Sequence, residues 1–292
     1  MNHFEKVFQC FPKSVREEIL ALSPETRQNI EEIRVYRGKE VQLFADGKRI
    51  SLTGKTSSQD VNNLLNNLMK FSYYAYEEDI AKGFITIDGG HRVGICGKAV
   101  VGGGHVSLIR DVSSLNIRCS REVLGCSDRL IKYAVGPCGE LRNLLVVSPP
   151  ACGKTTLLRD LARNLSLLGC KVGICDERSE IAGMSAGISP YTFGTMVDVL
   201  DGCPKAEGMC MMIRSMSPQA IVTDEISTEE DAAAIRACAG SGVSVIASAH
   251  GSSMEDLKKT GVWPLIENHT FDYLIFLTNR PRAGTIGEVR CG

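Results

Sequence analysis

The residues with the clearest chemical potential are Ser148 to Thr156, which read Ser-Pro-Pro-Ala-Cys-Gly-Lys-Thr-Thr. A Gly-Lys-Thr at the start of a helix suits the binding of phosphates. Backbone N–H groups of the loop and first helical turn face an anion, and the helix dipole favours negative charge there. Lys154 is placed to reach the β and γ phosphates of ATP, and the Thr155 hydroxyl to hold Mg²⁺. Ser148 stands where the usual pattern has Gly. Pro149 and Pro150 have no N–H to donate, so the cradle must run from Ala151 through Cys152, Gly153, Lys154 and Thr155 to Thr156. The plain alternative is a helix start with a solvated lysine. Cys152, inside the loop beside a lysine, reads either as a reachable, reactive thiol that ATP would protect or as a small, inert filler residue.

Hydrolysis also needs carboxylates. "AIVTDEIS" places Asp224 and Glu225 at the end of an apolar run. In open α/β sheets, ligands bind at the carboxyl ends of strands. Asp224 is expected to hold Mg²⁺ through water, and Glu225 to orient or deprotonate the attacking water. The competing reading is an acidic pair that caps the next helix, although Ser227 is the better cap. His250 ends "VSVIASAH" and is placed to sense the γ phosphate, though a lone histidine is more often structural. "GICDERSEIAG" brings Asp176, Glu177, Arg178 and Glu180 to the end of another apolar run. Composition alone reads this as an exposed charged turn; the sharper reading puts a second catalytic carboxylate here.

The elements that must position these residues alternate. "NLLVVS", "KVGICDE", "AIVTDEI", "VSVIASAH" and "FDYLIFLTN" read as buried strands, with amphipathic helices over "GKTTLLRDLARNLSLLG" and "STEEDAAAIRACAGSG". Apolar strands alternating with helices predict an α/β fold with a parallel sheet covered on both faces. Upstream, "EIRVYRGKEVQLFADGKRISL" reads as paired strands turning at Asp46-Gly47. "GFITIDGGHRVGICGKAVVGGGHVSLIRDVSSLNIRCS" reads as strands punctuated by Gly, and "SSQDVNNLLNNLMKFS" as a helix. The change of pattern near "GPCGE" sets the expected boundary: an N-terminal α/β domain over 1–135 and a nucleotide-binding domain over 136–292.

Composition narrows the class. The 292-residue chain carries a formal net charge of −1 and is 43% hydrophobic, so no global field favours nucleic acid or an anionic membrane. No run is apolar enough to span a bilayer, and the start reads as an amphipathic helix rather than a signal peptide. A cytoplasmic location is expected. The 12 cysteines are scattered without a C-x-x-C pair, which fits reduced structural thiols better than disulfides or a zinc site.

"PPACGKTTLLRDLAR", "CDERSEIAG", "VDVLDGCPKAEGMCMMIRSMSPQAIVTDEIS" and "GFITIDGGHRVGICGKAVV", in this order of function rather than of sequence, together resemble the stage III sporulation protein AA family of endospore-forming bacteria. The similarity runs from about residue 30 to the C-terminus. That family is similar to the secretion-type ATPases of type II secretion and type IV pili, which have a RecA-like motor domain and work as hexameric rings. The resemblance implies a RecA-like P-loop ATPase domain behind a smaller N-terminal α/β domain, and a homo-hexamer. Lys154 and Thr155 match the Walker A residues, and Asp224 and Glu225 the Walker B segment. Glu180 falls in an acidic box and His250 in a histidine box. The implied role is to power the channel between mother cell and forespore, docked from the cytoplasm on the membrane proteins of that complex.

The alternatives are a RecA-like ATPase that binds nucleic acid and a scaffold that binds ATP without turnover. No arginine-rich arm or base-stacking pair supports the first, and the Asp224-Glu225 pair argues against the second. Ring motors often complete their sites in trans; Arg92 and Arg118, on predicted strands near Gly-rich turns, are the candidates for that role.

Overall fold

The computed structural model describes residues 4–120, 122–184 and 187–292. Contacts divide the chain into Met1–Ser120 with Gly183–Pro190, and Arg121–Ala182 with Tyr191–Gly292.

The first unit is built on strands β1 (Ile30–Tyr36), β2 (Glu40–Ala45), β3 (Lys48–Lys55), β4 (Phe84–Ile87), β5 (His91–Gly102) and β6 (His105–Arg118). They form one antiparallel sheet in the order β3-β2-β1-β6-β5-β4. Asp46 and Gly47 both have positive φ, 51° and 71°, the left-handed pair that a two-residue Asp-Gly hairpin turn requires. The inward residues Ile33, Leu43, Val93 and Ile117 pack with Val15 and Leu64 from the Lys13–Ala21 and Ser58–Leu68 helices. A reciprocal Ser57–Asp60 capping box fixes the start of the second of these helices.

The second unit holds β7 (Leu144–Ser148), β8 (Val172–Asp176), β9 (Val197–Asp201), β10 (Ala220–Glu225), β11 (Ser244–His250), β12 (Tyr273–Thr278) and β13 (Thr285–Cys291). The sheet order is β13-β12-β7-β11-β10-β8-β9, parallel throughout except for β13, which runs antiparallel to β12. Leu145 and Val147 pack with Met209, Met212 and Ile235. The alternate residues Leu144 and Val146 are as deeply buried, so both faces are covered. This is why these strands read as mostly apolar runs.

The sheet departs from the sequence expectation at its two edges. β9 and β13 are half-exposed and carry alternating or charged residues, so neither has the apolar run that marks a central strand. The division at residue 120 also lies earlier than the 136–140 junction read from composition. Asp160, on the Lys154–Leu167 helix, accepts the N–H groups of Gly125 (3.1 Å) and Ser127 (2.8 Å). These bonds tie the segment after residue 121 to the second sheet.

One consequence of strand order positions the site. β11 lies between β7 and β10, with His250 paired in register with Ser148 and Ser248 with Glu225. The carboxyl ends of these three adjoining strands therefore present the 148–156 loop, His250 and the Asp224-Glu225 pair side by side.

Candidate functional site

Ser148 is the last residue of β7, extended and buried. Glycine is not required there, which explains how the chain tolerates serine. The left-handed conformations fall further on, at Ala151 (φ 58°) and Gly153 (φ 83°). Gly153 caps the Lys154–Leu167 helix without any side-chain hydrogen bond. The N–H groups of the first turn, those of Lys154, Thr155 and Thr156 among them, are left for an external acceptor. The Thr155 hydroxyl likewise bonds none of the described residues.

Lys154 folds back over its own loop. Its Nζ donates to the carbonyls of Ser148 (2.7 Å) and Pro149 (3.3 Å) and stands 3.2 Å from His250 Nδ1. On its other side, His250 Nε2 lies 2.8 Å from Glu225 Oε2. A charged ammonium has only donors, so Nδ1 accepts and Nε2–H donates to the carboxylate. Burial lowers the pKa of Lys154, against the opposing pull of Glu225 and Cys152. A lysine bound to carbonyls and held partly out of water is one that an incoming phosphate would stabilise.

Asp224 is only 7% exposed, and its pKa is raised to about 6, chiefly by burial, with Lys205 opposing. Lys205, 8% exposed, sits between two carboxylates: its Nζ is 2.5 Å from Glu177 Oε2 and 3.5 Å from Asp224 Oδ1. The longer distance gives charge attraction without a good hydrogen bond, and Asp224 Oδ1 has no hydrogen-bond partner among the described residues. Such a buried, unsatisfied carboxylate oxygen fits an outer ligand of Mg²⁺, an ion that keeps several waters and takes few protein ligands. The Thr155 hydroxyl is the other donor expected for that ion. No group of three or more His, Cys, Asp or Glu among the described residues forms a metal site of its own.

The "DERSEI" segment is a built loop and not a loose charged turn. Asp176, fully buried, accepts the N–H groups of Glu180 (2.9 Å) and Ala182 (2.8 Å). Arg159, from the helix that follows the phosphate loop, donates to the carbonyls of Ile181 and Glu180, both at 2.6 Å. Its guanidinium also lies 3.6 Å from the ring centroid of Tyr191. Burial lowers the Arg159 pKa, while Tyr191 and Asp176 oppose that shift. The loop carrying Glu180 is thus fixed to the helix that carries Lys154 and Thr155. Glu177 is taken up by Lys205, and Ser179 Oγ donates to Asp201 (2.8 Å).

The sequence-derived candidates fall into groups. Lys154, His250 and Glu225 are brought into one chain of contacts, and Asp224 adjoins it through the end of β10. Glu180 is positioned through its backbone. Cys152 is 3% exposed, which favours the inert-filler reading over the reachable thiol; its carbonyl accepts from Gly284 N–H at 2.8 Å. The helix cap is Thr228, in a capping box with Asp231, rather than Ser227. Arg92 and Arg118 face each other across β5 and β6 in the first unit, with Arg92 3.8 Å from the Phe84 ring centroid.

Lys205 and Arg159 were not anticipated. The signal for Lys205 was its place directly after Pro204, at the start of the Lys205–Ser215 helix. A cation is unfavourable at that end of the dipole unless carboxylates hold it. Arg159 carries no such mark, because its partners are backbone carbonyls.

A family model described as sporulation stage III, protein AA matches residues 1–290. Stage III sporulation protein AA of Bacillus subtilis (strain 168) is 40% identical over 290 residues, covering 97% of this chain and 94% of that protein. The uncharacterized protein ycf45 of Porphyra purpurea is 27% identical over 269 residues, 88% of this chain and 42% of that protein. Among solved structures, the pilus retraction motor PilT with bound ADP matches with a TM-score of 0.58 at 14% identity, covering 90% of this chain and 76% of that one. The ATPase DotB of Legionella pneumophila matches with a TM-score of 0.56 at 16% identity, covering 91% and 77%. At such identities the likeness is one of fold: an N-terminal antiparallel sheet and a mainly parallel sheet of the RecA-like secretion ATPase kind, as the resemblance implied.

Proposed function

This chain belongs to the sporulation stage III, protein AA family, and on that premise we propose that it is an ATP-hydrolysing motor of the secretion-ATPase kind. The observation that carries the reading is the run of contacts from Lys154 through His250 to Glu225, across three adjoining strand ends. It joins the residue type that holds phosphate to the residue type that activates water.

In this reading the phosphate chain of ATP takes the place of the Ser148 and Pro149 carbonyls on Lys154. The open N–H groups of Gly153, Lys154, Thr155 and Thr156 complete the cradle, with Ala151 and Cys152 shaping its entry. Mg²⁺, held by the Thr155 hydroxyl and through water by Asp224, would neutralise charge that builds on the phosphates. When the lysine turns to phosphate, His250 loses its contact with Lys154 and keeps its contact with Glu225. Glu225 then orients the attacking water and takes its proton. Glu180 is the rival base, on a loop that Arg159 holds to the same helix.

The finer biological reading follows the family. A homo-hexameric ring would act at the cytoplasmic face of the channel complex between mother cell and forespore, docked on its membrane components. No helix among the described residues is long and apolar enough to cross a membrane, in keeping with a peripheral place. Arg92 or Arg118 would then contribute to a neighbouring subunit's site. Mixing Arg→Ala subunits with Lys154→Ala subunits should restore part of the activity if either acts in trans.

The deciding experiment is steady-state phosphate release by the purified chain with Mg-ATP, with size measured in a non-hydrolysable analogue. Turnover that Lys154→Ala removes, together with a nucleotide-stabilised ring, is the expected result. A folded protein that neither binds nor hydrolyses ATP would overturn the reading.

A further inference from the structure

A second element touches the phosphate loop, and nothing in the reading above uses it. The turn between β12 and β13, residues 279–284, reads Asn-Arg-Pro-Arg-Ala-Gly. It is pinned to the loop at its end: Gly284 N–H donates to the Cys152 carbonyl at 2.8 Å. The approach is close. A Cβ added at Gly153 would lie 3.3 Å from Gly284 N and 3.6 Å from Gly284 Cα. Gly284 itself has φ 80°, so glycine serves both sides of the contact.

The turn carries Arg280 and Arg282, both exposed. Neither guanidinium pairs with a carboxylate or hydrogen-bonds among the described residues, whereas Arg290 on β13 is paired with Glu288 at 2.7 Å. The backbone beneath the two arginines is held. The Arg282 carbonyl accepts from Thr285 N (3.3 Å) and Thr285 Oγ1 (2.7 Å), and Arg280 N donates to Thr278 Oγ1 (3.2 Å). Arg282 is two residues from the pinned Gly284, no more than about 7 Å of chain, which is within the span of its own side chain. Two unpaired cations thus stand on a fixed backbone at the rim of the loop.

The loop has a matching deficit. Pro149 and Pro150 supply no N–H groups, so the cradle begins late, at Ala151. Lys154 is the only cation that the loop itself provides. Guanidinium offers planar, paired donors that match phosphate oxygens better than an ammonium does.

We propose that the β12–β13 turn forms a cationic wall of the phosphate site, with Arg280 and Arg282 binding the polyphosphate of a nucleotide held by the same chain's loop. This rests on the nucleotide reading of the 148–156 loop and adds to it an arginine contribution in cis. The turn supplies the donors that the two prolines withhold, and its charge lies where the outer phosphates of a triphosphate would leave the cradle.

The test is nucleotide titration of the full chain with a fluorescent ADP and a non-hydrolysable ATP analogue at low and high salt. The chains compared are wild type, Arg280→Gln/Arg282→Gln, Arg280→Lys/Arg282→Lys, Arg290→Gln and Lys154→Ala, each checked for folding by circular dichroism. The glutamine pair is expected to lose affinity for the analogue about tenfold. The loss should be smaller in high salt, where exposed charges are screened, and partly recovered by the lysine pair. Arg290→Gln should bind as wild type does. Binding by the glutamine pair within threefold of wild type, while Lys154→Ala loses it, would overturn the cationic wall and leave the loop assignment standing. Wild type that binds neither nucleotide would bring down the loop assignment and this proposal with it.

Discussion

The Lys154 ammonium stands 3.2 Å from His250 Nδ1, and the opposite nitrogen of that ring stands 2.8 Å from Glu225 Oε2. A single imidazole therefore spans the phosphate-binding and water-activating ends of the site. It can do so because β11 separates β7 from β10. Replacing His250 by Ala should leave ATP binding nearly intact and reduce turnover, since the ring touches Lys154 only while the lysine is folded back. Affinity and single-turnover rate measured together check this. Equal loss of binding and rate would mean that His250 holds the nucleotide directly.

Lys154→Ala should abolish most nucleotide binding without loss of fold. The side chain makes no contact that the core depends on; its partners are the carbonyls of Ser148 and Pro149 and the exposed His250 ring. Removing a charged group from a phosphate site typically costs on the order of 2 kcal/mol or more. Isothermal titration with circular dichroism tests both halves, and wild-type affinity in the variant would refute the site.

The base can be assigned by comparing Glu225→Gln with Glu180→Gln in single-turnover hydrolysis. Loss of a general base typically costs on the order of 100-fold. Arg159→Lys adds a control, because a lysine cannot repeat the two 2.6 Å bonds to the Glu180 and Ile181 carbonyls. If Glu180 is the base, Arg159→Lys should slow the chemical step while binding is kept. If Glu225 is the base, Arg159→Lys should leave the step nearly unchanged. Full activity in both glutamine variants would remove both assignments.

Much of this arrangement was legible in the sequence, and the illegible part has a physical cause. The central strands betray themselves through mostly apolar runs, because burial on both faces disfavours polar residues, and the exceptions, such as Ser148, Asp176, Thr223 and Asp224, fall toward the carboxyl ends. The functional residues follow at their carboxyl ends, which is how Lys154, Asp224, Glu225 and His250 could be read. β9 and β13 could not, because an edge strand has a solvent side and no distinctive run. Arg159 could not, because a side chain that bonds carbonyls leaves no partner type in the sequence. The choice between a reachable and an inert Cys152 could not be read, because loop position shows neither its burial nor the Gly284 N–H bonded to its carbonyl, a contact between residues far apart in the chain.

Asp224 should be a stability cost that function requires. Its pKa, about 6 in the fold, lies above the ordinary 3.8. Between those values the folded chain keeps a proton that the unfolded chain has released. Stability therefore falls as pH rises through that window. The cost at neutral pH is about 2 to 3 kcal/mol at most. Asp224→Asn should raise the unfolding temperature at about pH 8 and have little effect near pH 4. Lys205→Met should do the opposite at neutral pH, at a cost of about 3 kcal/mol, because it strips Glu177 and Asp224 of their shared cation. In the double variant the two effects should not add. Additive effects, or a destabilised Asp224→Asn at about pH 8, would show that the two residues do not share this interaction.

Cys152 gives the last prediction. It is 3% exposed and its carbonyl accepts the Gly284 N–H, whereas Cys96, Cys138 and Cys291 are exposed. Thiol reagents require access as well as a thiolate. Brief labelling with an alkylating reagent should therefore modify the three exposed cysteines first and Cys152 slowly, with or without Mg-ATP. Gly284→Pro removes the N–H that bonds Cys152 and forbids the φ of 80° at that position. It should free the turn and speed labelling of Cys152 several-fold, while the labelling of Cys138 stays as it was. Mass spectrometry of the digested chain reads each site separately. Cys152 labelling in the wild type as fast as Cys96 would contradict the closed loop, and unchanged Cys152 labelling in Gly284→Pro would show that the turn is not what covers it.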